Sequence, residues 1–166
     1  MSDIIIRYAL REELDAIVSL VREVCKDADI WTGYPQEEMK EEFSYCFFEY
    51  EEDEAHYNFM TPKCIVAEYK NELIGMMTFR QSYMSGYIFD LGWCMVKPKY
   101  QHTMMGVGFK LAKYIIGYIE SIRSNGIIQV AARDTKLLTK LGFADSGLSV
   151  NEWGVELKVL HMKFGL

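Results

Sequence analysis

The sequence has few of the residues that build metal centres and redox sites. Only four cysteines occur, Cys25, Cys46, Cys64 and Cys94, and no two of them form a closely spaced pair. The three histidines are scattered along the chain. Zinc sites and redox dithiols depend on closely spaced ligands, so we expect no metal site. We expect the cysteines to behave as small buried hydrophobic residues.

Long apolar runs are missing as well. No stretch approaches the roughly 20 apolar residues that a membrane-spanning helix needs. The N-terminal sequence MSDIIIRYALREELD has early acidic residues and no long apolar core, unlike a signal peptide. We therefore expect no membrane partner and a cytoplasmic protein whose thiols are reduced.

Positive charge is in deficit, because 18 basic residues face 24 acidic ones and the net charge is −6. A nucleic-acid-binding domain normally has a basic surplus, so no nucleic-acid partner is expected, whereas a cationic substrate is compatible with this charge. Repeats, low-complexity tracts and linkers are absent from the 166 residues. The length predicts a single domain over residues 1–166 that buries roughly 70% of its unfolded surface without a disulfide or metal.

Hydrophobic periodicity and turn residues predict the element order βα, α, βββ, α, β, α, ββ. Strands are predicted at 4–10, 63–69, 73–80, 87–96 and 127–132, and as a pair within 143–166. Helices are predicted at 11–24, at 36–50, after Gly106 and Gly108, and up to Leu141. The three consecutive strands predict an antiparallel meander. The fold class is therefore predicted as α/β (an α+β type of mixed sheet), with six to seven strands and about four helices on both faces.

The stretch 89–108, FDLGWCMVKPKYQHTMMGVG, carries the strongest functional signal. Its first half has the composition of a strand, which Pro98 ends because proline has no N–H to donate to a neighbouring strand. Gly106 and Gly108 then open a segment with helical periodicity. A strand, a glycine-bearing loop and a helix start form the layout that binds phosphates, because the first N–H groups of a helix lack an intrahelical partner.

Four segments together resemble the GNAT superfamily of acyl-CoA-dependent N-acyltransferases. IIIRYALREELDAIVSLV is similar to the family's first strand and helix, and CIVAEYKNELIGMMTF is similar to its second and third strands. FDLGWCMVKPKYQ resembles the fourth strand and the start of the cofactor loop, and LLTKLGF resembles the end of the fourth helix. The resemblance covers nearly the whole chain. It implies a GNAT-like domain that moves an acetyl group from acetyl-CoA, as co-substrate and without a metal, to a primary amine of a small molecule or protein.

The resemblance also implies a coenzyme A site in the loop after the fourth strand, although this loop departs from the family pattern. The pattern is Gln or Arg, two variable residues, Gly, one residue, and then Gly or Ala. Counted forward, Gln101 takes the first position and Met104 replaces the first glycine. Counted back from Gly106 and Gly108, Thr103 takes the first position and the loop is two residues longer. The helical pattern fits the second count better.

The implied cofactor-binding residues lie at the end of the fourth strand and in the loop. They are Met95, Val96, Gln101, Thr103, Met104, Met105, Gly106, Val107 and Gly108. The loop amides are expected to hold the pyrophosphate, and those of Met95 and Val96 the pantetheine arm and the thioester carbonyl. No arginine or lysine occurs in the loop, and two methionines stand where small residues are usual. A reshaped loop with weak or lost pyrophosphate binding is therefore the alternative.

Asp90 stands where many family members have a catalytic carboxylate on the fourth strand. Acyl transfer needs a base that keeps the amine neutral, and the resemblance gives Asp90 that role. Strand alternation predicts that Asp90 shares a face with Gly92, Cys94 and Val96. The alternative is a solvated or ion-paired carboxylate without a catalytic role. The family's usual acid, a tyrosine, is replaced by Leu138, which has no proton to donate.

Two functions remain open at this stage. The first is the acetyltransferase, whose acceptor is expected between the first two helices and the strand hairpins. A cationic amine is favoured by the acidic second helix and by the acidic segment 51–54. The second is a catalytically inactive GNAT-like binding or structural module, for example in a viral or other assembly. A homo-oligomer is compatible with either function.

Overall fold

The structure is a computed structural model. It describes residues 3–27, 35–47, 61–83, 85–150 and 156–165. Most of the loop predicted at 28–35, and the acidic segment 51–54, lie outside the described residues. None of the described helices is long and apolar enough to cross a membrane.

The described elements follow the predicted order. The strands are β1 (Ile5–Tyr8), β2 (Lys63–Tyr69), β3 (Glu72–Gln81), β4 (Ile88–Val96), β5 (Gly126–Ala132), β6 (Ala144–Val150) and β7 (Glu156–Phe164). The helices are α1 (Leu14–Asp27), α2 (Gln36–Ser44), α3 (Val107–Ile122) and α4 (Lys136–Lys140). Short 3-10 turns lie at Arg11–Glu13, Tyr45–Phe47 and Pro98–Tyr100. The helix predicted at 36–50 therefore ends earlier, in a 3-10 turn.

The strands form one seven-stranded mixed sheet in the order β1-β2-β3-β4-β5-β7-β6. Strands β1, β2, β3 and β4 form one antiparallel group, and β5, β7 and β6 form another. Only β4 and β5 are parallel, because α3 connects them and returns the chain to the same end of the sheet. The predicted meander and the predicted fold class are confirmed.

Two hydrophobic cores lie on opposite faces of the sheet. We call the cluster that contains the apolar side of α3 the α3-side core and the cluster that contains those of α1 and α2 the α1-side core. On α1, Ile17, Leu20 and Val21 are at most 1% exposed, and on α3, Leu111 and Ile115 are fully buried. Apolar residues at helical spacing thus fix each helix against one face of the sheet.

Gly75 of β3 lets the start of α3 lie close to the sheet. A Cβ atom at this position would stand 2.9 Å from Cγ1 of Val107 and 3.0 Å from the carbonyl oxygen of Met95. Because glycine has no Cβ, the first turn of α3 packs directly on β3 beside the end of β4. The helix start is thereby held next to the strand end that precedes it.

Candidate active site

Strands β4 and β5 diverge in the middle of the sheet. Their pairing runs from Ile88 opposite Ile127 to Leu91 opposite Val130 and ends there. Strand β4 nevertheless continues to Val96, and beyond Leu91 it pairs with β3 alone among the described strands. We call the resulting opening the β4–β5 gap. Backbone groups that border it have no ladder partner from β5, so those that bond to no other group are available to a bound molecule.

A β-bulge interrupts the pairing of β3 with β4 at the start of this gap. Phe79 lies opposite Leu91 and Met77 lies opposite Cys94. One residue of β3, Thr78, therefore faces two residues of β4, which are Gly92 and Trp93. That count defines a bulge, which bends the strand and reorients the side chains that follow it.

The bulge corrects one prediction about which residues share a face. Before it, Leu91 belongs to the α3-side core. After it, Trp93 and Met95 pack against the α1-side core, and Val96 packs against the α3-side core. Asp90 therefore shares its face with Trp93 and Met95, and the prediction that it shares a face with Cys94 and Val96 is wrong. Simple alternation fails because the extra residue shifts the phase of the strand by one. A glycine inside a strand was the available signal of a bulge.

A cavity of about 240 Å³ opens on the α1-side face of the bulge, between the end of α2 and strands β3 and β4. We call it the α2 cavity. Its lining includes Glu42, Phe43, Thr78, Arg80, Asp90 and Trp93. The indole N–H of Trp93 donates a hydrogen bond of 2.8 Å to Glu42, which fixes the ring between α2 and β4. The acceptor was expected between the first two helices and the strand hairpins, and the use of this cavity by an acceptor stays a prediction.

Asp90 lies at the sheet end of the α2 cavity, between a partner on each neighbouring strand. The side-chain amide of Gln129 on β5 donates a hydrogen bond of 2.6 Å to Oδ1. Nε of Arg80 on β3 lies 3.7 Å from Oδ2. The side chain keeps 27% of its surface exposed. The carboxylate is thus oriented by two contacts and still borders the cavity, and its role as a base stays a prediction.

Glu72 anchors the chain that leaves β4 for α3. Its carboxylate accepts hydrogen bonds from Nζ of Lys97 at 2.8 Å, from Nζ of Lys99 at 3.1 Å and from the hydroxyl of Tyr100 at 3.2 Å. The hydrogen bond with Lys97, followed by that with Lys99, lowers the pKa of Glu72 to about 2. Both lysines next to the loop are therefore engaged by one carboxylate, and the loop path is tied to the β2–β3 turn.

The loop itself is held by short internal hydrogen bonds. The side-chain amide of Gln101 donates to the carbonyl oxygen of Val96 at 2.7 Å, and the hydroxyl of Thr103 donates to that of Tyr100 at 2.9 Å. Both predicted loop residues thus use their side chains to shape the loop. The positive φ that a non-glycine residue must adopt falls on His102, at 54°, which costs about 1 kcal/mol.

Gly106 is the N-cap of α3 and adopts a left-handed conformation with φ of 59°. Its carbonyl oxygen accepts the N–H of Lys110 at 2.9 Å, and no side chain caps the helix. The amides of Val107 and Gly108 in the first turn therefore lack an intrahelical partner. Gly106 and Gly108 thus lie on either side of Val107, the first residue of α3. This placement favours the alignment in which Thr103 takes the Gln or Arg position of the family's loop pattern.

The two methionines leave the helix start open. The side chain of Met104 is fully exposed, with a relative exposure of 107%. Met105 is half-buried and packs against the α3-side core. The large Met104 side chain is thus accommodated in solvent, and the Met105 side chain is accommodated against the α3-side core.

The structure also shows where Leu138 and the four cysteines lie. Leu138 on α4 is 5% exposed and packs in the α3-side core, so it plays a structural part. Cys25 and Cys64 are buried and Cys46 is half-buried, but Cys94 is exposed, which corrects its predicted burial. Desolvation by the surrounding protein nevertheless raises the pKa of the Cys94 thiol to about 12. Such a thiol is protonated at neutral pH and is a poor nucleophile.

Sequence reasoning found Asp90 but missed its surroundings. Arg80, Gln129 and Thr78 reach the site through strand pairing, and no local motif marks them. Among the described residues, no group of three His, Cys, Asp or Glu side chains is placed to hold a metal ion.

Known proteins match this chain in sequence pattern and in fold. The family model described as "Acetyltransferase (GNAT) family" matches residues 29–143. No curated protein sequence matches the chain significantly. The sequence signal is therefore carried by the family pattern.

Several solved structures share the fold at low sequence identity. An N-acetyltransferase from Staphylococcus aureus Mu50 is 17% identical, with a TM-score of 0.71 over 97% of this chain and 98% of that chain. The protein yncA from Salmonella typhimurium, solved with its cofactor acetyl-CoA, is 17% identical, with a TM-score of 0.68 over 98% and 94%. The paia N-acetyltransferase from Thermoplasma acidophilum, solved in complex with coenzyme A, is 16% identical, with a TM-score of 0.66 over 98% and 99%. These structures establish the fold, and the family match over more than half of the sequence establishes that the chain belongs to the GNAT acetyltransferase family.

Proposed function

We propose that this protein transfers the acetyl group of acetyl-CoA to a primary amine of a small molecule or peptide, with Asp90 as the general base. One observation supports this above the others. The α2 cavity, which contains the Asp90 carboxylate, and the β4–β5 gap meet at the bulge of β4. An amine in the cavity and a thioester in the gap would then lie next to each other, which is what a direct transfer needs.

Acetyl-CoA would be held chiefly by backbone groups. The open amides of Val107 and Gly108 suit the pyrophosphate, because a helix start presents N–H groups and the positive end of the helix dipole. The β4 backbone at Met95 and Val96 borders the gap and suits the pantetheine arm. Two relatives in fold were solved with acetyl-CoA or coenzyme A, which supports the same co-substrate here.

The acetyl transfer then removes two protons from the acceptor, one before the attack and a second one, passed to solvent, as the amide forms. A primary amine is an ammonium ion at neutral pH, and Asp90 takes its proton directly or through a water molecule. The amine nitrogen attacks the thioester carbonyl carbon, and the C–S bond breaks as the amide forms. The sulfur leaves as coenzyme A thiolate and takes a proton from solvent. Because a thiol with a pKa near 8.5 is a good leaving group, Leu138 in place of the family's tyrosine is compatible with activity.

A cationic acceptor in a reducing cytoplasm belongs to the same proposal. The titratable groups lining the α2 cavity include two carboxylates, Glu42 and Asp90, and one guanidinium, Arg80. Two negative charges against one positive charge favour an acceptor with one positive charge. The open helix start supports an enzyme over the inactive module. Oligomerisation stays a prediction.

A calorimetric titration with acetyl-CoA tests the proposal, followed by an assay of thiol release with a panel of primary amines. We expect binding in the micromolar to submillimolar range and release of coenzyme A that depends on the amine. The matched control is Asp90→Asn, which should bind acetyl-CoA like the wild type and release little thiol. No detectable heat at millimolar acetyl-CoA, or no amine-dependent release, would contradict the proposal.

A further inference from the structure

Thr78 is a largely buried residue at the bulge whose side chain borders the α2 cavity. It is the single β3 residue opposite Gly92 and Trp93, and it is 6% exposed. Its side chain lines the α2 cavity together with Asp90. Among the residues that the structure describes, none forms a hydrogen bond with the Thr78 hydroxyl. Because the side chain borders the cavity, a molecule bound there can supply a hydrogen-bond partner to this hydroxyl.

Gly92 keeps this hydroxyl open to the cavity. A Cβ atom built at Gly92 would overlap Oγ1 of Thr78. Any other residue at this position would therefore displace or cover the hydroxyl group. The glycine itself is exposed, and it borders the same cavity. The Thr78 hydroxyl thus lies directly over the backbone of Gly92, at the start of the β4–β5 gap.

Asp90 lies two residues before Gly92 on the same face of β4, and its carboxylate borders the same cavity. Thr78 and Asp90 therefore present two acceptor oxygens at the end of the cavity that is nearest the gap. Trp93, fixed by its hydrogen bond with Glu42, adds an aromatic ring to the lining. Two oxygens match the two N–H groups that a neutral primary amine still carries after it loses its proton.

From this arrangement we infer that Thr78 is a second acceptor-binding residue and that the site selects primary amines. The Thr78 hydroxyl oxygen accepts one N–H of the amine, and the Asp90 carboxyl oxygen that has not taken up the proton accepts the other. The nitrogen lone pair is then directed away from both oxygens, towards the thioester carbonyl in the gap. A secondary amine has a single N–H after deprotonation, so it leaves one oxygen without a partner. This inference rests on the proposed acetyl transfer.

Two substitutions at Thr78 test the inference. Thr78→Val keeps the shape and removes the hydroxyl, whereas Thr78→Ser keeps the hydroxyl and removes a methyl group. The probe amines are phenethylamine, butylamine and their N-methyl forms, assayed by coenzyme A release. We expect Thr78→Val to lower kcat/KM for the primary amines roughly tenfold, the loss of one hydrogen bond, and to leave the KM for acetyl-CoA unchanged. Thr78→Ser should stay within about threefold of the wild type.

The preference for primary amines over their N-methyl forms is the quantity that a purely structural role of Thr78 would not change. The wild type should prefer each primary amine to its N-methyl form, and Thr78→Val should reduce this preference. Gly92→Ala provides a second variant, in which the added methyl group covers the hydroxyl and should act like Thr78→Val. Thermal melting and acetyl-CoA titration of each variant check that the fold and the cofactor site are intact.

The outcomes separate this inference from the function on which it rests. An active wild type with an unchanged Thr78→Val variant would overturn the role of Thr78 and leave the acetyltransferase in place. Equal losses in Thr78→Val and Thr78→Ser would also overturn it, since only one of them lacks the hydroxyl. A wild type that acetylates no amine would contradict both proposals.

Discussion

The two sides of the bulge in β4 are built from different parts of the chain. On the α2 cavity side, the proposed functional groups are side chains: the Asp90 carboxylate, the Arg80 guanidinium and the Thr78 hydroxyl. On the side proposed for the cofactor, they are backbone amides at the start of α3 and along the edge of β4 that β5 leaves unpaired. A site made of side chains depends on residue identity, and a site made of backbone depends on conformation. The loop can therefore depart from its family pattern and keep its geometry.

The largest effect is expected from Asp90→Asn, which alters a side chain of the α2 cavity and leaves the proposed cofactor site unchanged. An amide cannot take the proton from the acceptor ammonium, so kcat should fall about a hundredfold. Acetyl-CoA affinity should stay within about twofold, because the residue lies outside the cofactor-binding backbone. Steady-state kinetics and calorimetry measure the two quantities. A variant that keeps wild-type kcat would remove Asp90 from the mechanism.

A smaller effect is expected from Gly106→Ala, which alters the backbone conformation at the proposed cofactor site. The position has space for a methyl group, with Cβ of Phe109 4.0 Å away, but its φ of 59° is unfavourable for alanine. Relief of this strain should turn the first amides of α3 away from the pyrophosphate. We expect the Kd for acetyl-CoA to rise about fivefold, equivalent to about 1 kcal/mol.

The matched control for Gly106→Ala is Met104→Ala in the same loop. Because the side chain of Met104 is fully exposed, its removal should leave the Kd within about twofold of the wild type. Calorimetric titration of both variants makes the comparison. Equal losses of affinity, or a larger loss for Met104→Ala, would mean that side chains rather than backbone conformation govern this half of the site.

The smallest effect is expected from Glu72→Gln, which loosens the path of the loop without touching either half of the site. The folded-state pKa of Glu72 is lowered to about 2 by its lysine partners, so its stabilisation is present above the ordinary pKa of 4.5. It is lost as the pH falls through 4.5 towards 2. The side chain is 36% exposed, so the contribution to the free energy of unfolding is below about 1 kcal/mol. At pH 7 the Tm should fall by about 2 °C.

Thermal melting of wild type and Glu72→Gln at several pH values checks this prediction. The difference in Tm should be constant near neutrality and shrink below about pH 4.5. Glu23→Gln is the matched control, because Glu23 lies 3.8 Å from the same Lys97 and is more exposed. A Glu23→Gln effect as large as that of Glu72→Gln would contradict the assigned anchor.

The elements themselves could be predicted from sequence because local patterns determine them. The hairpin of β2 and β3 follows from two apolar runs around Lys70 and Asn71, and α3 follows from apolar residues at helical spacing. The face of Cys94 could not be predicted, since it depends on how β3 pairs with β4. The conformation at Met104 depends on distant anchors as well. Glu72 holds the loop from 25 residues or more away in the chain.

Asp90 illustrates how far a family motif reaches. The motif located the carboxylate, but its partners Arg80 and Gln129 come from two other strands, and Gln129 is 39 positions away. Pairing register decides such contacts, and register is a property of the assembled sheet. Strand glycines such as Gly92 were the one local sign that the register would shift here.

A crystal structure of the protein with acetyl-CoA tests most directly the claim that backbone groups on either side of the bulge hold the co-substrate. The account predicts pyrophosphate oxygens about 3 Å from the amide nitrogens of Val107 and Gly108. It also predicts the thioester in the β4–β5 gap beside Met95, open to the α2 cavity. Acetyl-CoA bound elsewhere on the sheet, or a gap that stays empty at saturating acetyl-CoA, would contradict the claim.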